Sequence, residues 1–176
     1  MLSIRNATAA DAALILDFIR HLAEYEREPN AVIATEDDLV RHGFGPEPKY
    51  RCLIAEWDGK PAAFALFHYN FSTWRGQLGI YLEDLFVLPE MRGKGIGKAL
   101  LQRLAQIVLE EDCYGLRWMV LEWNDPALKF YEALGAELLG DWETMLLRGP
   151  ALERLAQSKE ASELPSRQFS QSGPHS

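Results

Sequence analysis

The stretch Leu82-Glu83-Asp84-Leu85-Phe86-Val87-Leu88-Pro89-Glu90-Met91-Arg92-Gly93-Lys94-Gly95-Ile96-Gly97-Lys98-Ala99-Leu100-Leu101 reads as a strand, a glycine-rich turn and the start of a helix. Aromatic and branched residues dominate Tyr81 to Val87, and Pro89 closes the run because proline has no N–H to give to a ladder. Leu100, Leu101, Leu104, Ile107 and Val108 then recur at the spacing of one buried helix face. Between strand and helix, Gly93, Gly95 and Gly97 alternate with Lys94 and Ile96. Glycine lets successive N–H groups turn toward one point and leaves room for a ligand to approach the backbone. The helix N-terminus adds unpaired N–H groups and a partial positive charge, and Arg92, Lys94 and Lys98 add full charges. Such a stretch is built for an anion, a phosphate or pyrophosphate first of all.

The glycine spacing discriminates among phosphate loops. A P-loop needs glycine five residues before its Gly-Lys pair and Ser or Thr after it; here those positions hold Arg92 and Ala99, so that reading fails. A dinucleotide fingerprint built on Gly95 and Gly97 needs a small residue where Leu100 stands, although Glu122, at the end of the next predicted strand, lies at about the right distance. The dinucleotide reading therefore stays open, and so does a ligand-free surface turn. What remains is Arg92-Gly93-Lys94-Gly95-Ile96-Gly97 directly after Glu83-Asp84-Leu85-Phe86-Val87. This resembles the acyl-CoA loop of the GNAT superfamily of N-acetyltransferases, in which Arg or Gln is followed after two residues by Gly, any residue, and Gly or Ala. Arg92, Gly95 and Gly97 fall in register with it.

The rest of the chain agrees with one soluble domain. At 176 residues it can bury roughly 70% of its unfolded surface in a single core, and 48% hydrophobic with 25% charged residues is an ordinary globular balance. The expected domain covers residues 2–157. Beyond it, residues 158–176 turn to Ser, Gln, Glu and Pro and read as a disordered tail. The net charge of -8 and a pI near 5.0 argue against a nucleic-acid surface and suit a small cationic substrate or simple solubility. Cys52 and Cys113 are far apart, and His21, His42, His68 and His175 are scattered, so neither a disulfide framework nor a metal site is expected. No apolar run approaches membrane-spanning length and the N-terminus has no signal core, which makes the cytoplasm the expected location and no membrane partner expected.

In chain order, Leu2 to Arg5 reads as a strand, and Thr8 with Asp11 and Thr35 with Asp38 form capping boxes that start two helices. Pro29 marks the limit of the first and Gly43 stops the second. Tyr50 to Trp57 and Ala62 to Phe71 read as strands around an Asp58-Gly59 hairpin turn. After the central helix, Leu116 to Leu121 reads as a fifth strand. Asn124-Asp125-Pro126 starts a helix with Gly135 as its C′ residue, and a hairpin of Ala136 to Leu139 with Glu143 to Leu147 completes the sheet. A helical turn over Ala151 to Ala156 follows.

This order matches the GNAT fold, so the resemblance covers about residues 2–148 and implies an α/β (α+β) acyl-CoA N-acyltransferase fold: a mixed central sheet of about seven strands flanked by helices. Tyr81 to Val87, Glu122 to Pro126, Phe130-Tyr131 and Glu24-Tyr25-Glu26 look like the diamine (spermidine/spermine) N-acetyltransferase branch. Ser72-Thr73-Trp74 and Arg148 to Leu155 lean toward sister enzymes that acetylate thialysine and related amino acids. The polyamine enzymes carry an acid and a proline where Ser72 and Thr73 stand, a departure that weighs against long polyamines.

The resemblance implies acetyl-CoA as cosubstrate, no metal, a small amine as acceptor and a homodimer. Its pantetheine arm would lie along Leu85-Phe86-Val87 as an added strand, with Asn124, Asp125, Pro126 and Ala127 on the other side and Gly93, Lys94, Gly95, Ile96, Gly97 and Lys98, flanked by Arg92, on the pyrophosphate. An alkyl ammonium must lose its proton before it can attack, which costs about 4 to 5 kcal/mol at pH 7. Glu83 is the candidate base, directly or through a water, and Tyr131 is the candidate acid for the departing thiolate. Tyr25, Glu26, Trp74 and Glu83 would bind the amine, Tyr25 with an aromatic face and Glu26 with a charge. Acetylation of protein N-termini or lysines, and a non-catalytic acyl-CoA sensor, are the competing functions.

Overall fold

The structure, a computed structural model, describes residues 1–140 and 144–157. Two capping boxes set its first helices, as their sequences require. The backbone N–H and Oγ1 of Thr8 donate to Asp11 Oδ2 at 2.8 and 3.0 Å, closing a short 3-10 turn, Ala9–Asp11, ahead of helix α1 (Ala12–Tyr25). Arg5 grips the same carboxylate with bonds of 2.9 and 2.8 Å, which holds Asp11 well below the usual carboxylate range. Thr35 and Asp38 likewise open α2 (Glu36–Gly43). The second helix ends at Gly43 as expected, though without a positive φ there. The smallness of this glycine admits Tyr50, since a Cβ there would stand 2.3 Å from that ring, whose hydroxyl donates to the Leu39 carbonyl at 2.8 Å.

Strands β1 (Leu2–Asn6), β2 (Arg51–Trp57), β3 (Lys60–Ser72) and β4 (Gln77–Val87) pair antiparallel in sequence order. Helix α3 (Ile96–Glu110) then returns the chain so that β5 (Leu116–Trp118) pairs parallel with β4. Asp58 and Gly59 both take positive φ, 51° and 75°, as a two-residue hairpin turn of this hand needs.

Strand alternation divides the core. Cys52, Ile54, Phe64, Leu66 and Phe86 pack with Ile15, Leu16 and Phe18 of α1 and Leu39 of α2, and Phe18 stacks on Phe64 with centroids 5.2 Å apart. Leu53, Ala55, Ala63 and Ala65 are equally buried but alternate to the opposite face, where α3 contributes Leu100, Leu104 and Ile107. Each large side chain buried in this way contributes roughly 1.5–3 kcal/mol.

The sheet differs from expectation in its strand count. Five strands form among the described residues, where about seven were expected. The fifth ends at Trp118 rather than Leu121. Ala136 to Leu139 and residues 144–147 adopt no strand, and Leu138, Leu139, Met145 and Leu146 are exposed. Short alternating runs read as strands, yet a strand exists only where a neighbour pairs its N–H and C=O groups, and among the described residues none does so here. Residues 141–143 of the expected hairpin, together with the tail at 158–176, lie outside the described residues.

Contacts group the chain into two compact units, Met1–Asp125 and a second that begins at Pro126. The second carries most of α4 (Asp125–Glu132), and α5 (Gly149–Ala156), which is longer than the single turn expected. Gly135 does act as the C′ residue of α4. It sits at φ 87°, with its N–H on the Glu132 carbonyl at 2.9 Å and the Ala136 N–H on the Tyr131 carbonyl at 3.1 Å. Among the described residues, no helix is long and apolar enough to cross a membrane.

Candidate active site

The site starts from an irregularity in β4. Leu66 of β3 faces Asp84 while Phe67 faces Leu82, so Glu83 is the extra residue of a bulge. A bulge bends its strand and raises the local twist, and β5 leaves β4 at this point: parallel pairing runs from Ile80 with Leu116 to Leu82 with Trp118 and stops. From Glu83 to Val87, β4 has β3 on one edge and no described strand on the other. That open edge offers backbone donors and acceptors to an extended polar guest.

Beyond Val87 the chain makes a 3-10 turn, Pro89–Met91, and reaches Gly93 and Gly95 at φ 76° and 78°. A Cβ at either would meet nothing within 4 Å, so the left-handed backbone, not crowding, demands glycine there. Gly95 is also the N-cap of α3 and has no side chain to occupy the first turn. The N–H groups of Ile96, Gly97 and Lys98 precede the first helical bond, Ala99 N–H to the Gly95 carbonyl at 3.0 Å, and remain available to an anion. Gly95→Ala is expected to cost about 1 kcal/mol of stability through its left-handed backbone and to weaken anion binding at the disturbed turn. Thermal unfolding and titration with inorganic pyrophosphate measure the two effects.

The three basic residues of the loop behave differently. Lys98 is exposed at the start of α3. The Lys94 ammonium stands 5.3 Å over the Trp57 ring, beside a cavity of about 310 Å³ lined by Trp57, Lys60, Leu88 and Met91 among others, which contains none of the expected site residues. Arg92 turns back onto the sheet: its Nε donates to the Val87 carbonyl at 3.1 Å, and its guanidinium lies 4.8 Å over Tyr25 and 5.6 Å over Phe86. Tyr25, expected on the acceptor side, also donates its hydroxyl to Asn124 Oδ1 at 3.0 Å. It thereby touches two residues expected on the acyl-CoA side.

A group of carboxyls gathers on the α1 face of the sheet. Cross-strand partners share a face, so Asp84, opposite Leu66, looks toward α1. Burial, reinforced by the charges of Glu83 and Glu26, pushes the Asp84 carboxyl up to about 7. Burial raises Glu26 as well. Glu83 is more exposed, with Oε2 3.4 Å from His68 Nε2, a contact that becomes an ion pair when the imidazole is protonated. The His68 ring stacks on Tyr81, centroids 5.1 Å apart. Asp84 and His68 were missed as site residues; the available signal was two adjacent acids inside an otherwise apolar strand.

The structure does not bring Trp74 to this group. It is 89% exposed at the tip of the β3–β4 hairpin. Glu83 lies six residues along the strand from Gln77, roughly 20 Å of rise. Pro126, Ala127 and Tyr131 belong to the second unit, where they lie on α4 with the Tyr131 ring 5.3 Å from that of Phe130.

Comparison with known proteins agrees with this geometry. Residues 15–136 match the model of the Acetyltransferase (GNAT) family. The thialysine N-epsilon-acetyltransferase of Bos taurus is 40% identical over 164 residues, covering 87% of this chain and 96% of the bovine protein. The spermidine/spermine N(1)-acetyltransferase-like protein 1 of Homo sapiens is 37% identical over 140 residues, covering 76% of this chain and 20% of the human protein. An integron cassette protein from the mobile metagenome of V. cholerae superimposes with a TM-score of 0.75 at 28% identity, over 89% of this chain and 98% of that one. The open β4 edge, the uncapped glycine loop and these matches have one consistent reading: the chain belongs to the acetyltransferase (GNAT) family and is an acetyl-CoA-dependent N-acetyltransferase.

Proposed function

We propose that the chain transfers the acetyl group of acetyl-CoA to the primary amine of a small cationic molecule, a diamine or a thialysine-like amino acid, by direct attack in a ternary complex. The observation that carries this is the gathering of Glu26, Glu83 and Asp84 on the α1 face, where β4 loses β5 and runs into the glycine loop. Three carboxyls beside an acyl-CoA edge suit an ammonium-bearing acceptor and repel an acidic one. Relatives that bear the names thialysine and spermidine/spermine acetyltransferase support the same class.

In this reading the open edge at Leu85, Phe86 and Val87 takes the pantetheine amides. The Gly93 to Lys98 turn takes the pyrophosphate, and Asn124, Asp125, Pro126 and Ala127 hold the arm's other side. Glu83 takes the proton of the bound ammonium, directly or through a water, and the freed nitrogen attacks the thioester carbonyl. A backbone N–H between Leu85 and Val87 stabilises the resulting oxyanion. As the C–S bond breaks, Tyr131 gives its proton to the CoA sulfur. Neither Cys52 nor Cys113 is suited to an acyl-enzyme, because burial raises both thiols above their ordinary range.

The family match crosses from the first unit into the second, which supports one catalytic domain over residues 2–157. Cytoplasmic location and a homodimer complete the proposal. Exposed Leu138, Leu139, Met145 and Leu146 offer apolar surface to a second copy, and Trp74 would serve the acceptor site of that copy rather than its own.

Free-thiol release from acetyl-CoA with spermidine, short diamines, lysine, thialysine and an N-terminal peptide tests the reading. Turnover is expected on a small amine and not on the peptide. Turnover confined to the peptide would overturn the acceptor class.

A further inference from the structure

The turn that ends α1 holds a residue whose backbone does not suit its type. The Glu28 N–H reaches the Ala23 carbonyl at 2.8 Å and the Arg27 N–H reaches the Glu24 carbonyl at 3.1 Å, the paired bonds of a helix stop whose hinge is left-handed. That hinge is Arg27, at φ 67°. Glycine is the usual occupant, because a Cβ in this conformation crowds the following carbonyl. Strain of this kind persists where the surrounding structure uses the side chain. The Arg27 guanidinium lies over the Trp123 ring, 4.4 Å from its centroid.

Tyr25, two residues earlier in the same cap, meets the same indole at 6.2 Å between centroids. It also donates to Asn124 Oδ1 at 3.0 Å and carries the Arg92 guanidinium 4.8 Å above its ring. One helix end therefore touches both the turn after β5, through Trp123 and Asn124, and the loop after β4, through Arg92. These are the two segments between which the acyl donor is read to lie.

We propose that the C-terminal cap of α1 is a clamp for the acyl-CoA site: Tyr25 and Arg27 fix the Trp123-Asn124 turn relative to the glycine loop, and Arg27 keeps its strained backbone for the sake of that contact. Both are positioning residues. Neither needs to touch the donor, and each acts through a residue expected to hold it. The inference rests on the reading of Asn124 and the glycine loop as donor contacts.

The test is calorimetric titration with CoA, paired with thermal unfolding of the free protein, for the wild type, Tyr25→Phe, Arg27→Gly and Arg27→Lys. Arg27→Gly relieves the left-handed strain, so it is expected to melt higher than the wild type while binding CoA about three- to tenfold more weakly. A residue with a merely structural role would not move stability and affinity in opposite directions. Arg27→Lys keeps a cation over the indole and is expected to bind within about twofold of the wild type. Tyr25→Phe keeps the ring under Arg92 but loses the bond to Asn124, for an expected loss of about two- to tenfold; it decides the matter if Arg27→Gly does not fold. Wild-type affinity in both Tyr25→Phe and Arg27→Gly overturns the clamp alone. A wild-type chain that fails to bind CoA overturns the donor-site reading, and the clamp falls with it.

Discussion

Tyr131→Phe is expected to lower kcat by about 30-fold or more at pH 7 while leaving the KM for acetyl-CoA within a few-fold. The substitution keeps the ring that lies 5.3 Å from that of Phe130 on α4 and removes only the hydroxyl. A simple thiol has a pKa of about 8.5, so a CoA thiolate expelled at pH 7 is less stable than its protonated form by about 2 kcal/mol. A donor poised at the sulfur removes that penalty in the transition state. The deficit should therefore narrow as pH rises past about 9, where the thiolate is the stable leaving group and the donor has less to contribute. Steady-state rates for both proteins across pH 6 to 10 provide the check. An unchanged kcat at pH 7, with chemistry shown to limit turnover, removes Tyr131 from the mechanism.

The parts of this molecule that could be read from sequence are those whose constraints are local. Pro89, which has no N–H to give to a ladder, follows just after β4 ends at Val87, and Gly93 and Gly95 occupy left-handed positions that glycine spacing announces. The capping boxes at Thr8 and Thr35 are four-residue devices and form as written. What sequence could not show depends on a partner elsewhere in the chain. The Leu116 to Leu121 run satisfies strand propensity throughout, but the Glu83 bulge turns β4 away after Leu82 and the strand stops with its neighbour. That same bulge sets the cross-strand register that directs Asp84 toward α1, so burial of its carboxyl is a property of pairing and not of the Glu-Asp dipeptide. Tyr25 joins three elements that are widely separated in sequence, and the strain at Arg27 is invisible in a run of charges that reads as a solvated helix end.

Asp84→Asn is expected to raise the stability of the free protein at pH 8 by up to about 4 kcal/mol and to leave it nearly unchanged near pH 4. In the folded chain, burial first, then the charges of Glu83 and Glu26, pushes this carboxyl up to about 7 from an ordinary value of 3.8. Between those values the folded state holds a proton that the unfolded state has released. The unfolded chain therefore binds fewer protons, and stability falls as pH rises. The contribution of the neutral carboxyl is complete below about pH 4, is lost progressively through about pH 7, and changes little above that. The span from 3.8 to about 7, at 1.36 kcal/mol per pH step of one, gives the size of the effect. The charged and titratable groups whose fields reach it are Glu26 at the C-terminal cap of α1, Glu83 from β4 and Cys52 from β2, none of them a cation. Asparagine keeps the shape without titrating, so the difference between variant and wild type isolates this group from carboxylates with the opposite dependence, such as Asp11 beside Arg5. For a chain of this size, each kcal/mol corresponds to about 2–4 °C in Tm. Melting temperatures of both proteins from pH 4 to 9 should diverge through neutrality, the wild type falling away from the variant. A bound ammonium would reverse the cost by drawing the proton off Asp84, so an amine acceptor should bind the wild type more tightly as pH rises through 7, a dependence that Asp84→Asn should lack. Parallel melting curves for the two proteins would mean that Asp84 is already ionised and paired in the free protein. The acidic face would then be a solvated surface, not a held reserve of negative charge waiting for a cationic substrate.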